Sequence, residues 1–431
     1  MNVLILGGGG REHALAWKIA QSPRCARLHC APGNAGIAKI AECFAVALKP
    51  PFDELIQACR ERKIDLVVVG PEDPLAAGVV DALEKAGVLA FGPRAAAAKI
   101  EASKTFAKEI MRAASIPTGW AETFTDVGPA LALLKKIDPP YVVKADGLAA
   151  GKGVTIAANF DDAERAVRDA LEGRRLGEAG ASILIEERLI GVEASLLAFT
   201  DGRRVLAMDS AQDHKPVFDG DRGPNTGGMG AISPAPALKP KLRRAAVGQI
   251  LEPAVAELAR RGIEYRGVLY AGLMLTTQGP KVVEFNCRFG DPETQALMPR
   301  LDCDLLEVLV ACARGDLGGV RLKWKPEACV CVVAASGGYP GDYAKGLPIS
   351  GVEEAESEPG VTVFHAGTAL DARGRLVTAG GRVLGVTAVG EGIESAREAA
   401  YRALGRIAFE GMHHRGDIGL RAGAGAIGAR S

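Results

Sequence analysis

Short apolar runs alternate with amphipathic stretches over the first hundred residues of the chain. Val3–Leu6, Arg27–Cys30 and Leu66–Val69 have the composition of buried strands. Ala14–Ile19 and Leu75–Ala86 read as helices, with glycine or proline at the joints. Such alternation predicts a parallel sheet covered by helices. Phe91-Gly92-Pro93 closes this unit, and an alanine-rich helix leads through Lys104 to Ile116-Pro117. The pattern then changes to hairpin-like strands at Tyr141–Lys144, Val154–Ala157, Ile183–Glu186, Glu193–Phe199, Val268–Leu275 and Val282–Asn286. A last unit opens at Ala328–Ala334, adds strands at Val361–Phe364 and Val383–Val386, and ends in a helix over Ser395–Ile407. The glycine- and alanine-rich tail Arg421–Ser431 is expected to fray. Three domains are expected, over residues 1–100, 101–325 and 326–431.

Charge and cysteine usage narrow the range of functions. Basic and acidic residues number 52 each, so no net charge draws the chain to nucleic acid or to an anionic membrane. Small-molecule partners are expected. The first residues carry no basic segment followed by a long apolar one, and no apolar stretch is long enough to span a bilayer, so a cytoplasmic location is expected. The nine cysteines show no framework spacing, which predicts reduced thiols.

Two glycine clusters offer sites for phosphate. Gly7-Gly8-Gly9-Gly10 sits between a strand and a helix, where backbone N–H groups can meet an anion. It is not a dinucleotide fingerprint, because the third glycine would fall on Glu12 or His13 and the second strand ends without an acidic residue. The second cluster runs from Lys144 through Gly147, Gly151 and Lys152 to Gly153. It misses the Walker spacing, puts Gly153 where a magnesium-binding hydroxyl belongs, and lies between two strands. A glycine-rich hairpin of this kind can fold flat over a polyphosphate while Lys144 and Lys152 supply charge. The strand at Ile183–Glu186 ends in Glu186-Glu187, and Glu193 follows. A strand end offers backbone groups to an adenine edge, and a nearby carboxylate can bind ribose.

The stretch from Lys281 to Glu293 is the most informative. Alternation puts Glu284, Asn286 and Arg288 on one face and Phe285, Cys287 and Phe289 on the other. A carboxylate and an amide oxygen two residues apart suit a hard cation such as Mg2+, and Arg288 would lie beside the phosphate it holds. Asp291 is placed to cap the following helix, with Pro292 at its first position. Asp213-His214-Lys215 and the loop Asn225-Thr226-Gly227-Gly228-Met229 read as a ligand-contacting segment.

These segments together resemble the ATP-grasp superfamily, and within it the phosphoribosylamine–glycine ligase (glycinamide ribonucleotide synthetase) family. The resemblance rests on GGREHA at Gly9–Ala14, APGNAG at Ala31–Gly36, VVKADGLAAGKGV at Val142–Val154 and QDHK at Gln212–Lys215. It continues in GPNTGGMGA at Gly223–Ala231 and EFNCRFGDPETQ at Glu284–Gln295. It implies a multidomain α/β and α+β chain: an N-terminal parallel α/β domain, an ATP-grasp lid at about 118–190 with its body, and a small C-terminal α+β domain.

The resemblance further implies that Lys104, Lys144, Gly151 and Lys152 contact the phosphates of ATP. Glu186, Glu187 and Leu189 would line the adenine pocket, and Glu193 would bind ribose. Glu284 and Asn286 would hold Mg2+ or Mn2+, and Arg288, Lys144 and Asp213 would be catalytic. Substrate contacts are expected at Gly9, Gly10, Glu12, Glu72, Asp213 and Lys215, at Asn225–Met229, and at Arg288 and Asp291. The implied reaction joins glycine to 5-phosphoribosylamine through glycyl phosphate, releasing ADP and phosphate, in a chain that acts as a monomer. The alternative is another ATP-grasp carboxylate–amine ligase or a carboxylase.

Overall fold

The structure is a computed structural model that describes residues 1–148, 153–173 and 180–420. Gly151, Lys152 and the tail Arg421–Ser431 lie outside the described residues. Strands β1 (Asn2–Gly7), β2 (Arg27–Pro32), β3 (Glu42–Cys43), β4 (Leu66–Val69) and β5 (Ala90–Phe91) form a sheet in the order β3-β2-β1-β4-β5. Every neighbouring pair is parallel, as the alternation requires. The helix expected over Leu75–Ala86 is instead two, Glu72–Ala76 and Val79–Lys85. Gly78 between them takes a left-handed backbone with φ of +87°, which ends the first helix.

A second sheet contains β6 (Ala121–Phe124), β7 (Tyr141–Ala145), β8 (Val154–Ala157) and β9 (Ile183–Glu186) in the antiparallel order β6-β9-β7-β8. Helices Val127–Leu134 and Phe160–Leu171 bury their apolar faces against it around Ala130, Val143, Val167 and Ile185. β7 and β8 are joined by the second glycine cluster, with Lys144 opposite Val154.

The body supplies β10 (Val192–Asp201), β11 (Val205–Asp213), the ribbon β12 (Pro216–Phe218) and β13 (Arg222–Asn225), β14 (Gly230–Ser233), β15 (Arg266–Thr276) and β16 (Gly279–Asn286). The C-terminal unit adds β17 (Ala328–Ala335), β18 (Val361–His365), the ribbon β19 (Thr368–Leu370) and β20 (Leu376–Thr378), and β21 (Arg382–Gly390). Its strands do not form a sheet of their own. β14 pairs with β17, so body and C-terminal unit share one eight-stranded sheet, β16-β15-β10-β11-β14-β17-β21-β18. Buried Arg300 braces this seam, with Asp209 at 2.8 Å and the Ser233 hydroxyl at 2.7 Å.

The far edge of that sheet closes on the N-terminal domain. The His365 N–H donates to His13 Nδ1 (2.8 Å), and Asn34 Nδ2 donates to the carbonyls of Gly8 and His365, each at 2.9 Å. Gly36 permits this approach, since a Cβ there would lie 2.5 Å from both imidazole rings. Burial, and then nearby positive charge, pushes His13 down to about 3 and His365 down to about 4. In the unfolded chain each titrates near the ordinary histidine value of about 6.5. Below that value the unfolded chain takes up protons that the folded chain refuses, so this pair is a source of lost stability as pH falls toward 4. His365→Gln should therefore flatten the fall in thermal midpoint between about pH 7 and pH 4.5. Equal slopes in wild type and variant would assign the acid sensitivity elsewhere.

Candidate active site

The lysines expected to meet nucleotide come from two elements. Lys104 opens the helix Lys104–Ala113, where the Ser103 hydroxyl caps by accepting from Phe106 N–H (3.1 Å). Asp146, just beyond β7, accepts from Thr105 N–H (2.7 Å) and from the hydroxyls of Ser103 (3.2 Å) and Ser182 (3.1 Å). Asp146 thereby fastens the end of β7 to the start of the helix, and Lys104 Nζ donates to the Gly147 carbonyl (3.1 Å). Lys144 on β7 is buried, with its ammonium 2.9 Å from Glu186 Oε2 and donating to the Val283 carbonyl (3.2 Å). Lys108, one helical turn beyond Lys104, approaches the same Glu186 oxygen at 3.5 Å. Burial lowers the pKa values of Lys104 and Lys108, with Glu284 and Glu186 opposing that fall in turn. Glu187 pairs its N–H with the Trp120 carbonyl (2.9 Å), Leu189 is half-buried, and Glu193 is exposed.

Glu284 and Asn286 lie on β16, the edge strand. Gly272 sits opposite Glu284, and a Cβ there would press on the glutamate Cγ at 3.2 Å. Burial opposes the charge of Glu284, but Lys215, Lys144, Lys104 and Arg288 outweigh it and hold the carboxyl at about 2. Asn286 is only 8% exposed, yet its side-chain amide makes no hydrogen bond among the described residues. An ionised carboxylate beside an unpartnered amide oxygen fits a hard divalent cation.

Lys215 faces this pair, with Nζ 3.5 Å from Glu284, 3.6 Å from Glu193 and 3.9 Å from Asp213. Burial pushes Asp213 up, and Glu293, Glu193 and Glu284 add to that rise against the pull of Lys215. Behind them buried Glu293 accepts from the hydroxyls of Ser195 (3.0 Å) and Tyr270. Ser195 and Tyr270 were not among the expected site residues, and Glu293 was marked only as part of the EFNCRFGDPETQ stretch, with no role given to it.

The structure turns Arg288 differently from a simple strand alternation. β16 ends at Asn286, and the guanidinium of Arg288 swings to the N-terminal unit, with Nε 3.1 Å from Glu72 and Nη2 2.8 Å from Glu101. Burial opposes its charge, while Glu101 and Glu72 raise its pKa further above the ordinary value. Arg11 lies alongside, donating to Glu12 (2.7 Å) and to the Phe289 carbonyl (2.9 Å). Glu12 is itself buried, and its other oxygen accepts from Gly9 N–H (2.6 Å). Glu12 therefore shapes the first glycine loop and does not hold its carboxylate open to a ligand.

Asp291 also departs from expectation. It does not cap the helix Glu293–Leu297, whose first turn has no side-chain cap. Other partners claim its carboxylate: Arg11 N–H (3.4 Å) at the start of helix Gly10–Ile19, Gln295 Nε2 (2.7 Å) and Arg382 at 3.4 Å. Arg382, from β21, also donates to the carbonyls of Gly227 (2.6 Å) and Asp291 (2.7 Å). Thr226 folds the loop back by donating to the Lys215 carbonyl (2.7 Å) and accepting from Gly228 N–H (2.9 Å). Asn225 and Gly227 are exposed. Met229 is fully buried with Val217 and Ala335, so its side chain belongs to the core and not to the cleft.

A small antiparallel lid beside a long antiparallel sheet, with Lys144 of the lid and Lys104 of the preceding helix bearing on a carboxylate–amide pair on the sheet edge, is an ATP-grasp architecture. The family comparisons agree over nearly the whole chain. The model of the phosphoribosylglycinamide synthetase N domain matches residues 1–101, that of its ATP-grasp (A) domain 102–294, and that of its C domain 329–421. The phosphoribosylamine–glycine ligase of Pseudomonas aeruginosa is 51% identical, with 98% of each chain covered. That of Rhizobium meliloti is 50% identical, over 98% of this chain and 99% of the relative. The crystal structure of the phosphoribosylamine–glycine ligase from Thermotoga maritima superposes with a TM-score of 0.84 at 31% identity, covering 97% of this chain and 100% of that one. The biotin carboxylase domain of Hydrogenobacter thermophilus 2-oxoglutarate carboxylase shares the fold alone, with a TM-score of 0.73 at 17% identity over 96% of this chain and 91% of that one. The chain belongs to the phosphoribosylglycinamide synthetase family.

Asp146 gives the site a direct test. Asp146→Ala removes the acceptor for Thr105 N–H and both serine hydroxyls, a loss on the scale of about 1–2 kcal/mol for one helix cap. A lower thermal midpoint and a several-fold rise in the KM for ATP are expected, with Asp146→Asn milder in both. Unchanged KM in a destabilised variant would limit Asp146 to the fold.

Proposed function

We propose that this chain joins glycine to 5-phosphoribosylamine in purine synthesis, cleaving ATP to ADP and phosphate, with glycyl phosphate as the intermediate. The observation that supports the reading most is the meeting of Lys104, Lys144, the Glu284–Asn286 pair and Arg288 in one cleft of a chain from this family. Lys104 and Lys144, with Gly151 and Lys152 of the hairpin, bind the phosphates. Glu186, Glu187 and Leu189 line the adenine site, and Glu193 takes the ribose. Glu284 and Asn286 hold Mg2+ or Mn2+, which supplies positive charge to the phosphate oxygens. Glycine lies near Asp213 and Lys215. Phosphoribosylamine lies between the Gly9–Gly10 loop, Glu72, Asp291 and the exposed part of the 225–228 loop.

A carboxylate resists attack because electrons must be pushed onto an anionic group. In this reading a glycine carboxylate oxygen takes the γ-phosphoryl group, and ADP leaves with the electron pair of the broken P–O bond. The amine nitrogen of phosphoribosylamine then bonds to the acyl carbon, phosphate departs, and the nitrogen loses a proton. No enzyme nucleophile is needed, so positioning and charge neutralisation supply the rate. The thiol between Asn286 and Arg288 in the chain, Cys287, is held well above the usual range by burial and by Glu101, which leaves it inert.

In this reading the chain acts as a monomer. All nine cysteines are free, which fits the cytoplasm. Among the described residues no helix is long and apolar enough to cross a membrane.

Steady turnover should require both glycine and phosphoribosylamine and should release ADP. AMP and pyrophosphate as products would sink the mechanism. Arg288→Lys keeps the charge but loses the fork that spans Glu72, Glu101 and a phosphoryl oxygen. It should retain most ATP binding and lower kcat by roughly 10²–10³-fold. A drop in thermal midpoint with kcat near wild type would make Arg288 a brace between domains and nothing more.

A further inference from the structure

Three charged side chains meet at the base of the lid and are almost wholly buried. They are Lys108 from the body helix, Lys144 from β7 and Glu186 from the end of β9, with side-chain exposures of 9%, 6% and 6%. Both ammonium groups approach the same oxygen, Glu186 Oε2, at 3.5 Å and 2.9 Å. The other oxygen, Oε1, has no hydrogen bond among the described residues.

The two lysines are not held alike. Lys108 donates to the Thr118 hydroxyl (2.9 Å) and the Gly119 carbonyl (3.1 Å), and Thr118 donates onward to the Val282 carbonyl (2.7 Å). It is anchored at the point where the chain enters the lid. Lys144 has only Glu186 and the Val283 carbonyl as partners among the described residues. A polyphosphate carries more negative charge than one carboxylate, so an arriving nucleotide draws Lys144 away from Glu186. A buried carboxylate stripped of its partner is costly.

We infer that Lys108 is a positioning residue of the nucleotide site, the second counter-charge that keeps Glu186 compensated once Lys144 turns to the phosphates. This rests on the assignment of Lys144 as a phosphate ligand. In the free protein Lys144 still pairs with Glu186 when Lys108 is replaced. The loss therefore falls on the nucleotide complex, and the free chain largely keeps its stability.

The test uses the full chain, ADP titration calorimetry and steady-state kinetics. Lys108→Met removes the charge and the hydrogen bonds. Lys108→Gln keeps donors toward Thr118 and Gly119 and removes only the charge, and it carries the test alone should Lys108→Met fail to fold. Both should weaken ADP binding and raise the KM for ATP by about tenfold or more, with kcat within about threefold of wild type and the KM for glycine unchanged. Adding Glu186→Gln to Lys108→Gln removes the stranded charge and should restore ADP affinity to that of Glu186→Gln alone. Wild-type ADP affinity in Lys108→Gln, or strictly additive losses in the double variant, would overturn the inference. Lys144→Met serves as the control. No loss of ADP affinity there overturns the phosphate-site assignment, whereas loss there with none in Lys108→Gln overturns only the role of Lys108.

Discussion

Charge removed from water must be compensated, and the whole cleft is arranged around that requirement. Glu284 is half-buried and yet held ionised at about 2, because Lys215, Lys144, Lys104 and Arg288 all bear on it. Those same cations are distributed over other acids: Lys215 over Glu193 and Asp213, Lys144 over Glu186, Arg288 over Glu72 and Glu101. No single pair accounts for the site. Lys215 and Arg288 each serve more than one carboxylate, and Glu186 and Glu72 are each served by two cations, so charge drawn toward a polyanion is taken from a network and not from one pair.

That sharing also fixes how the units sit together. Arg288 comes from the loop after the body strand β16, while Glu72 opens a helix of the N-terminal sheet domain. Arg382 comes from β21 and reaches over Gly227 to Asp291, whose carboxylate meets the first turn of helix Gly10–Ile19. The continuous sheet through β14 and β17 makes this reach possible, because it holds the C-terminal strands in register with the body. The three parts are therefore not modules joined by linkers. Each contributes backbone or charge to the same cleft.

Local pattern carried much of this into the sequence. The two-residue alternation at Glu284, Asn286 and their apolar neighbours marked β16 and its polar face. The hairpin between β7 and β8 was legible from apolar runs flanking a glycine cluster. What escaped notice depends on contacts between distant segments. Nothing near Arg288 pointed to Glu101, and nothing near Gly227 pointed to Arg382. Lys108 was not among the candidate residues, because one helical turn from Lys104 is also the spacing of a solvated helix face. Asp291-Pro292 looked like a helix cap because that is the strongest local use of the pair. A neighbouring helix terminus and an arginine outcompeted it.

The arrangement bears on the chemistry as well. An acyl phosphate survives only if water is kept from it while an amine is brought near, so the second reactant must lie beside the first phosphoryl site. Arg288 touches both regions, because its guanidinium spans acids of the N-terminal domain while its charge bears on Glu284. Lysine at that position would supply the charge but could not hold two acids in fixed geometry. A planar, permanently charged group suits this junction, and buried neighbours hold the loop that carries it: Cys287 packs in the core with Phe285, and Phe289 packs in a second core against Phe91 and Phe199.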